Sequence, residues 1–128
     1  MNKTDINDVF LRFEDEAMLM TIHSDSENAE ILLEQYRMAV VKERWFSGSG
    51  FFTEFTISHG VCKLQDKNKA PIGTVYGTIN DLETCVGFLL FFENGYISTL
   101  ECHQYDDAEF PEEITVYKLT YTPNEASV

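Results

Sequence analysis

The chain has 128 residues, enough to bury one hydrophobic core as a single domain without disulfide or metal staples. Its hydrophobic share of 44% and aromatic share of 13% exclude a disordered chain, and its longest apolar run, Phe88 to Phe92, falls far short of the roughly 18 residues of a membrane span. Nine basic against 22 acidic residues give a formal net charge of -13, which disfavours nucleic acid and anionic membranes as partners and favours cationic ones.

The N-terminal MNKTDINDVF has no basic stretch followed by an apolar one, so no secretory signal is read there and a cytoplasmic location is expected. Cys62, Cys85 and Cys102 are an odd number without CxxC spacing, which fits reduced thiols. Ile6, Val9, Phe10, Phe13, Ala17 and Met20 recur at helical spacing, with Thr4 as a cap and Asp5 and Asp8 in the first turn. The end of that run, AMLMTIH, is equally compatible with a strand. Ser24 with Glu27 three positions on reads as a capping box opening a second helix, with Ala29, Leu32, Leu33 and Tyr36 inward.

From Arg37 the pattern becomes extended, and SGSG (47–50) reads as a bulge or tight hairpin before the strand FFTEFTI. HGVCKL leads into the polar, basic DKNKAP. IGTVYGTI is a strand, NDLET a turn, VGFLLFF the most apolar strand, and ITVYKLTYT a last strand before a frayed tail at 123–128. Residues 1–36 are thus expected to be mainly helical and 37–122 mainly β. Together they form one α+β domain, with the helices packed on a mostly antiparallel sheet.

Asn94-Gly95 is the strongest local signal, because a two-residue type I′ turn needs positive φ at both positions. A regular ladder from that turn sets Phe92 opposite Ile97, Leu90 opposite Thr99 and Phe88 opposite Glu101. Phe88, Leu90, Phe92, Ile97, Glu101 and His103 then share one face. Gly87, Leu89, Phe91, Ser98, Leu100 and Cys102 share the other, so the hairpin is expected to be central and covered on both sides. Glu101 becomes a structural carboxylate in this reading, bonded to backbone or to Arg44, with Asn94 and Gly95 as structural turn residues.

The chemistry-bearing residues spell no reaction. Glu101 and His103 with Arg44 could line a small ligand or enzyme pocket, but no nucleophile or second carboxylate accompanies them. His59, Cys62, Cys102 and His103 do not make a metal set, because adjacent strand residues point to opposite faces. GSG lacks the Lys-Ser/Thr of a phosphate loop. No catalytic residue, metal or cofactor is read from this chain.

The acids are uneven. Residues 5–34 hold nine acids and one base, 101–128 seven acids and one base, and 35–80 six bases and three acids. The segment Asp106, Asp107, Glu109, Glu112, Glu113, interleaved with Tyr105, Phe110 and Pro111, reads as a partner-binding loop with Tyr105 and Phe110 as apolar anchors. A plain solvated loop has the same composition.

ERWFSGSGFFTEF (43–55), followed by GFLLFFENGYISTLECHQYDDAEFPEE (87–113), resembles a pattern of small bacterial proteins. In these, R-x-F/W-(T/S)-G-x-G-F-F-T precedes G-F-x-L-F-x-x-x-G-Y-I/L-S-x-L-E, an acidic or aromatic segment and Pro. Some of them resemble immunity proteins of contact-dependent growth inhibition and polymorphic toxin systems. Cys102 stands where some carry Gly, and the N-terminal helices lie outside the resemblance. The resemblance implies a non-enzymatic cytoplasmic protein that binds a cognate toxin domain, often a nuclease with a basic cleft. The residues also leave open an acidic regulator of a basic cellular protein.

Overall fold

The computed structural model describes residues 4–58, 60–80, 85–106 and 109–122. The helical spacing near the N-terminus folds as α1 (Asp8–Ser24), so AMLMTIH is helix to its end. The cap is Asn7 rather than Thr4: its side chain accepts from Phe10 N at 2.8 Å. Thr4 is instead buried and donates to Pro111 O. Ser24 does not open the second helix but closes the first, donating to Thr21 O at 2.6 Å. The expected capping box is therefore absent, and α2 (Ala29–Met38) starts from Asn28 without a side-chain cap.

Six strands follow: β1 (Ala39–Phe46), β2 (Gly50–Ile57), β3 (Val75–Ile79), β4 (Cys85–Glu93), β5 (Tyr96–Gln104) and β6 (Tyr117–Tyr121). They form one antiparallel sheet in the order β1-β2-β5-β4-β3-β6. The architecture is α+β with the helices at the N-terminus. No helix among the described residues is long and apolar enough to cross a membrane. Residues 81–84 of the expected NDLET turn (80–84), His59 and the tail 123–128 lie outside the described residues.

The core lies between the helices and one sheet face. Phe10, Phe13, Ala17, Met18 and Ile22 of α1 meet Phe51, Val75, Ile79, Phe88, Leu90, Leu100 and Cys102. Tilted and edge-on aromatic contacts join Phe10 to Phe51 and Phe13 to Phe88, with centroids at 4.9 and 5.4 Å. Burial of the Cys102 thiol pushes its pKa up, with Glu101 and Glu14 adding to the shift, so it behaves as a small hydrophobe.

The Asn94-Gly95 turn has φ of 54° and 86°, as a two-residue I′ loop requires. Phe92 pairs with Ile97 as expected, but the ladder then slips at a bulge that leaves Ser98 unopposed. Beyond it Leu90 pairs with Leu100, Phe88 with Cys102 and Leu89 with Glu101. This corrects the regular register. Ile97, Leu100 and Cys102 do not share one parity, and a bulge that absorbs one residue lets all three face the core. Glu101 and His103 are thereby turned to the opposite face, away from Phe88 and Leu90.

The hairpin is central, but the sheet is covered on one side only. Among the described residues no element packs on the face opposite the helices.

Two tyrosines tie helix α1 outward. Tyr36 Oη donates to Asp15 and Tyr117 Oη to Glu16, each at 2.6 Å. Burial, with the Glu16 carboxylate adding to it, pushes Tyr117 up from 10.0 to about 12. Burial, with Asp15 adding to it, raises Tyr36 too. A raised tyrosine pKa stabilises the fold fully below the unfolded-state value, and that stabilisation is lost as pH climbs through the folded value. Urea midpoints should therefore fall between pH 10 and 12, and Tyr117→Phe should show a shallower fall over that window. Parallel curves for the two proteins would contradict the assignment.

Candidate partner-binding surface

The acidic segment begins where β5 ends and crosses one end of the sheet as a strap. Phe110 N donates to Gly48 O in the β1–β2 turn at 2.7 Å, and Gln104 N to Ser49 O at 2.9 Å. Further along, Thr4 donates to Pro111 O at 2.7 Å and Asp5 N to Glu112 O at 2.6 Å, fastening the strap to the start of the chain. Asn80 at the end of β3 completes the attachment. Its amide donates to Glu113 O and its carbonyl accepts from Thr115 N, at 2.6 and 2.7 Å. These backbone bonds hold the strap to three separate parts of the fold, while the side chains of Asp106, Glu109, Glu112 and Glu113 remain exposed. Asp107 lies outside the described residues.

The two expected aromatic anchors have different fates. Phe110 is 5% exposed and meets Phe51 edge-on at 5.8 Å, so it serves the core and is not an exposed anchor. An aromatic between carboxylates signals a binding loop or a buried peg equally well, and here the peg fixes the strap. Tyr105 is 61% exposed and lies on the uncovered sheet face. Its hydroxyl rests over Gly87, where an added Cβ would come within 2.1 Å of it, and its ring meets His103 edge-on at 5.3 Å. Only a residue without Cβ lets Tyr105 lie so flat across the strands.

The pocket expected from Glu101, His103 and Arg44 does not assemble. Arg44 points to the helix side, where its guanidinium binds Glu14 at 2.7 and 3.0 Å. Glu101 and His103 share the opposite face, with Leu89 directly across from Glu101. His103 Nδ1 is buried without a partner among the described residues. Glu101 is not held by Arg44, and among the described residues no cation lies within ion-pair reach of it. Cys102 and His103 point to opposite faces, and no metal-binding cluster occurs among the described residues.

Sequence reasoning missed the surface around Glu101. Phe52 and Glu54 of β2 alternate with the buried Phe51, Thr53 and Phe55, so they face outward. Trp45 pairs with Phe52 and stacks on it, with ring centroids at 5.3 Å and planes 18° apart. A second bulge, between Val41 and Glu43, moves Trp45 out of the parity of Val41. The signal was present in FFTEF, whose alternate residues cannot all be core. Open clefts elsewhere include one of about 440 Å³ between α1, α2 and β1, lined by Asp15, Tyr36, Arg37 and Val41, but its acids already have partners.

No family model, curated protein or solved structure matches the chain.

Proposed function

We propose that this protein is a toxin-neutralising inhibitor of the immunity type, binding a basic, nuclease-type toxin domain and blocking its activity. The observation that carries the reading is the strap. Asp106, Glu109, Glu112 and Glu113 are exposed on a backbone bonded to the N-terminus, the β1–β2 turn and the end of β3. Carboxylates on a fixed backbone lose little freedom on binding, and a net charge of -13 steers a cationic partner toward them. The motif resemblance across residues 43–55 and 87–113 points the same way.

The reading is tested by mixing the purified chain with the toxin domain encoded immediately upstream. A complex whose association slows steeply with salt, together with loss of toxin activity, is expected. No complex at low salt would refute it. Replacing Glu109, Glu112 and Glu113 together by Gln should slow association roughly 10-fold at low salt and flatten its salt dependence, with a smaller change in dissociation. Unchanged association in stopped flow would remove the strap from the contact surface.

A further inference from the structure

We propose that the uncovered sheet face is a docking platform for arginine side chains of a basic protein, centred on Trp45, Phe52 and Glu101. The proposal rests on reading the chain as a binder of a basic partner, and it names the surface and the chemistry of contact.

Three observations carry it. The first is a row across the sheet. Trp45 pairs with Phe52, Phe52 with Glu101, and Glu101 with Leu89. Strands lie about 4.8 Å apart, so a flat aromatic pair ends one strand spacing from a carboxylate. A guanidinium stacks on aromatic faces and binds a carboxylate through two parallel N–H bonds, and this row offers both contacts at one place. Trp45 is 42% exposed and available to such a ligand.

The second is charge left uncompensated on that face. Glu43 lies directly opposite Glu54 across the β1–β2 pair. Like charges at directly opposed positions destabilise a sheet. Lys42, the residue displaced by the bulge, reaches only Glu54 among the described residues, at 3.6 Å. Glu101 in the neighbouring strand has no cation within reach among the described residues. A cation from outside would relieve Glu43 and Glu101, which no cation of the described residues reaches.

The third is what the charge excludes. A second copy of the chain would set Glu43, Glu54 and Glu101 against their own equivalents and bring two net charges of -13 together. Stacked nucleobases would suit the aromatics, but their phosphates would meet the same carboxylates. The occupant that matches both aromatics and acids is an arginine-bearing protein surface. The platform also continues toward the strap, since Tyr105 lies on the same face and Asp106 follows it.

Trp45 is the one tryptophan of the chain, so its fluorescence reports on the platform directly. The probes are a nine-residue arginine peptide and a nine-residue lysine peptide of equal charge, titrated at low salt into the full-length protein. The expected result is a saturating change in Trp45 emission at several-fold lower concentration for the arginine peptide. Glu101→Gln and Phe52→Leu should each weaken that response about 10-fold. Circular dichroism verifies the fold of each variant, and Glu101→Gln, a near-isosteric change at a partly buried position, supplies the result if Phe52→Leu unfolds.

If the peptides bind by calorimetry but leave Trp45 emission unmoved, or if only the Glu109/Glu112/Glu113→Gln protein loses binding, the platform is refuted while the reading as a basic-partner binder stands. Equal responses to arginine and lysine peptides would overturn the arginine assignment. Absence of binding to either peptide overturns both the platform and the reading beneath it.

Discussion

Arg44→Met is expected to cost about 3–5 kcal/mol of folding stability, because it strands the carboxylate of Glu14 under the helix without its cation. Glu14 sits on the inward face of α1 between Phe10, Phe13 and Ala17, with its side chain 7% exposed. Arg44 binds both of its oxygens, at 2.7 and 3.0 Å, and Thr53 donates a further hydrogen bond to it from β2. The guanidinium also lies 5.7 Å from the Phe10 ring centroid. Removing one member of such a pair leaves a buried charge, whereas removing both leaves apolar surface that can pack. The double variant Glu14→Met/Arg44→Met should therefore recover most of the loss. It should fall short of the parent because the Thr53 hydroxyl loses its acceptor. Urea denaturation checks both, and the single variant should melt roughly 10–20 °C lower. A single-variant loss below about 1 kcal/mol would show that water reaches Glu14 in the native state.

The same pair shows where a reading of the sequence stops. Strands β2, β3, β4, β5 and β6 and the Asn94-Gly95 turn were legible because alternation and positive-φ residues are local signals. Glu14 and Gln35 were not, since counting apolar positions along a helix treats every polar residue as outward. Gln35 lies between Leu32 and Tyr36 in the apolar stripe of α2, yet it is as buried as Leu32. The register beyond the turn failed for a different reason. A bulge at Ser98 changes which face every later residue of β5 occupies, and its only trace is that Ile97, Leu100 and Cys102 break parity. That single slip moved Glu101 from an apparent core carboxylate to the uncovered face, and with it the location of a plausible contact surface. Phe110 was misplaced because composition cannot tell a buried peg from an exposed anchor. The uncovered face itself was hidden by its own apolarity, since Leu89, Phe91 and Phe52 read as residues awaiting cover.

Gln35→Leu is expected to cost about 2–4 kcal/mol, although it replaces a polar core residue by an apolar one. Gln35 is fully buried and joins three segments of backbone. Its amide donates to Cys62 O at 3.0 Å and to Gly95 O at 2.9 Å, and its carbonyl accepts from Ile97 N at 2.8 Å. Gly95 O retains a bond from Leu64 N and Cys62 is exposed, so the penalty falls mainly on Ile97 N. Leu supplies none of these bonds, and buried backbone groups left without partners outweigh the gain in apolar burial. Gln35→Glu separates donor from acceptor. A carboxylate still accepts from Ile97 N but faces two carbonyl oxygens, so it should destabilise at neutral pH and recover in part at acidic pH, where a protonated oxygen donates to one of them. Hydrogen exchange at Ile97 should accelerate in Gln35→Leu before global unfolding. Protection equal to the parent there, or a urea midpoint shifted by less than about 0.5 kcal/mol in stability terms, would mean that the hairpin holds its register without the helix. Because Gln35 grips the turn end of the hairpin on the helix side, the arginine-peptide binding proposed for the opposite face should weaken only in proportion to the fraction unfolded.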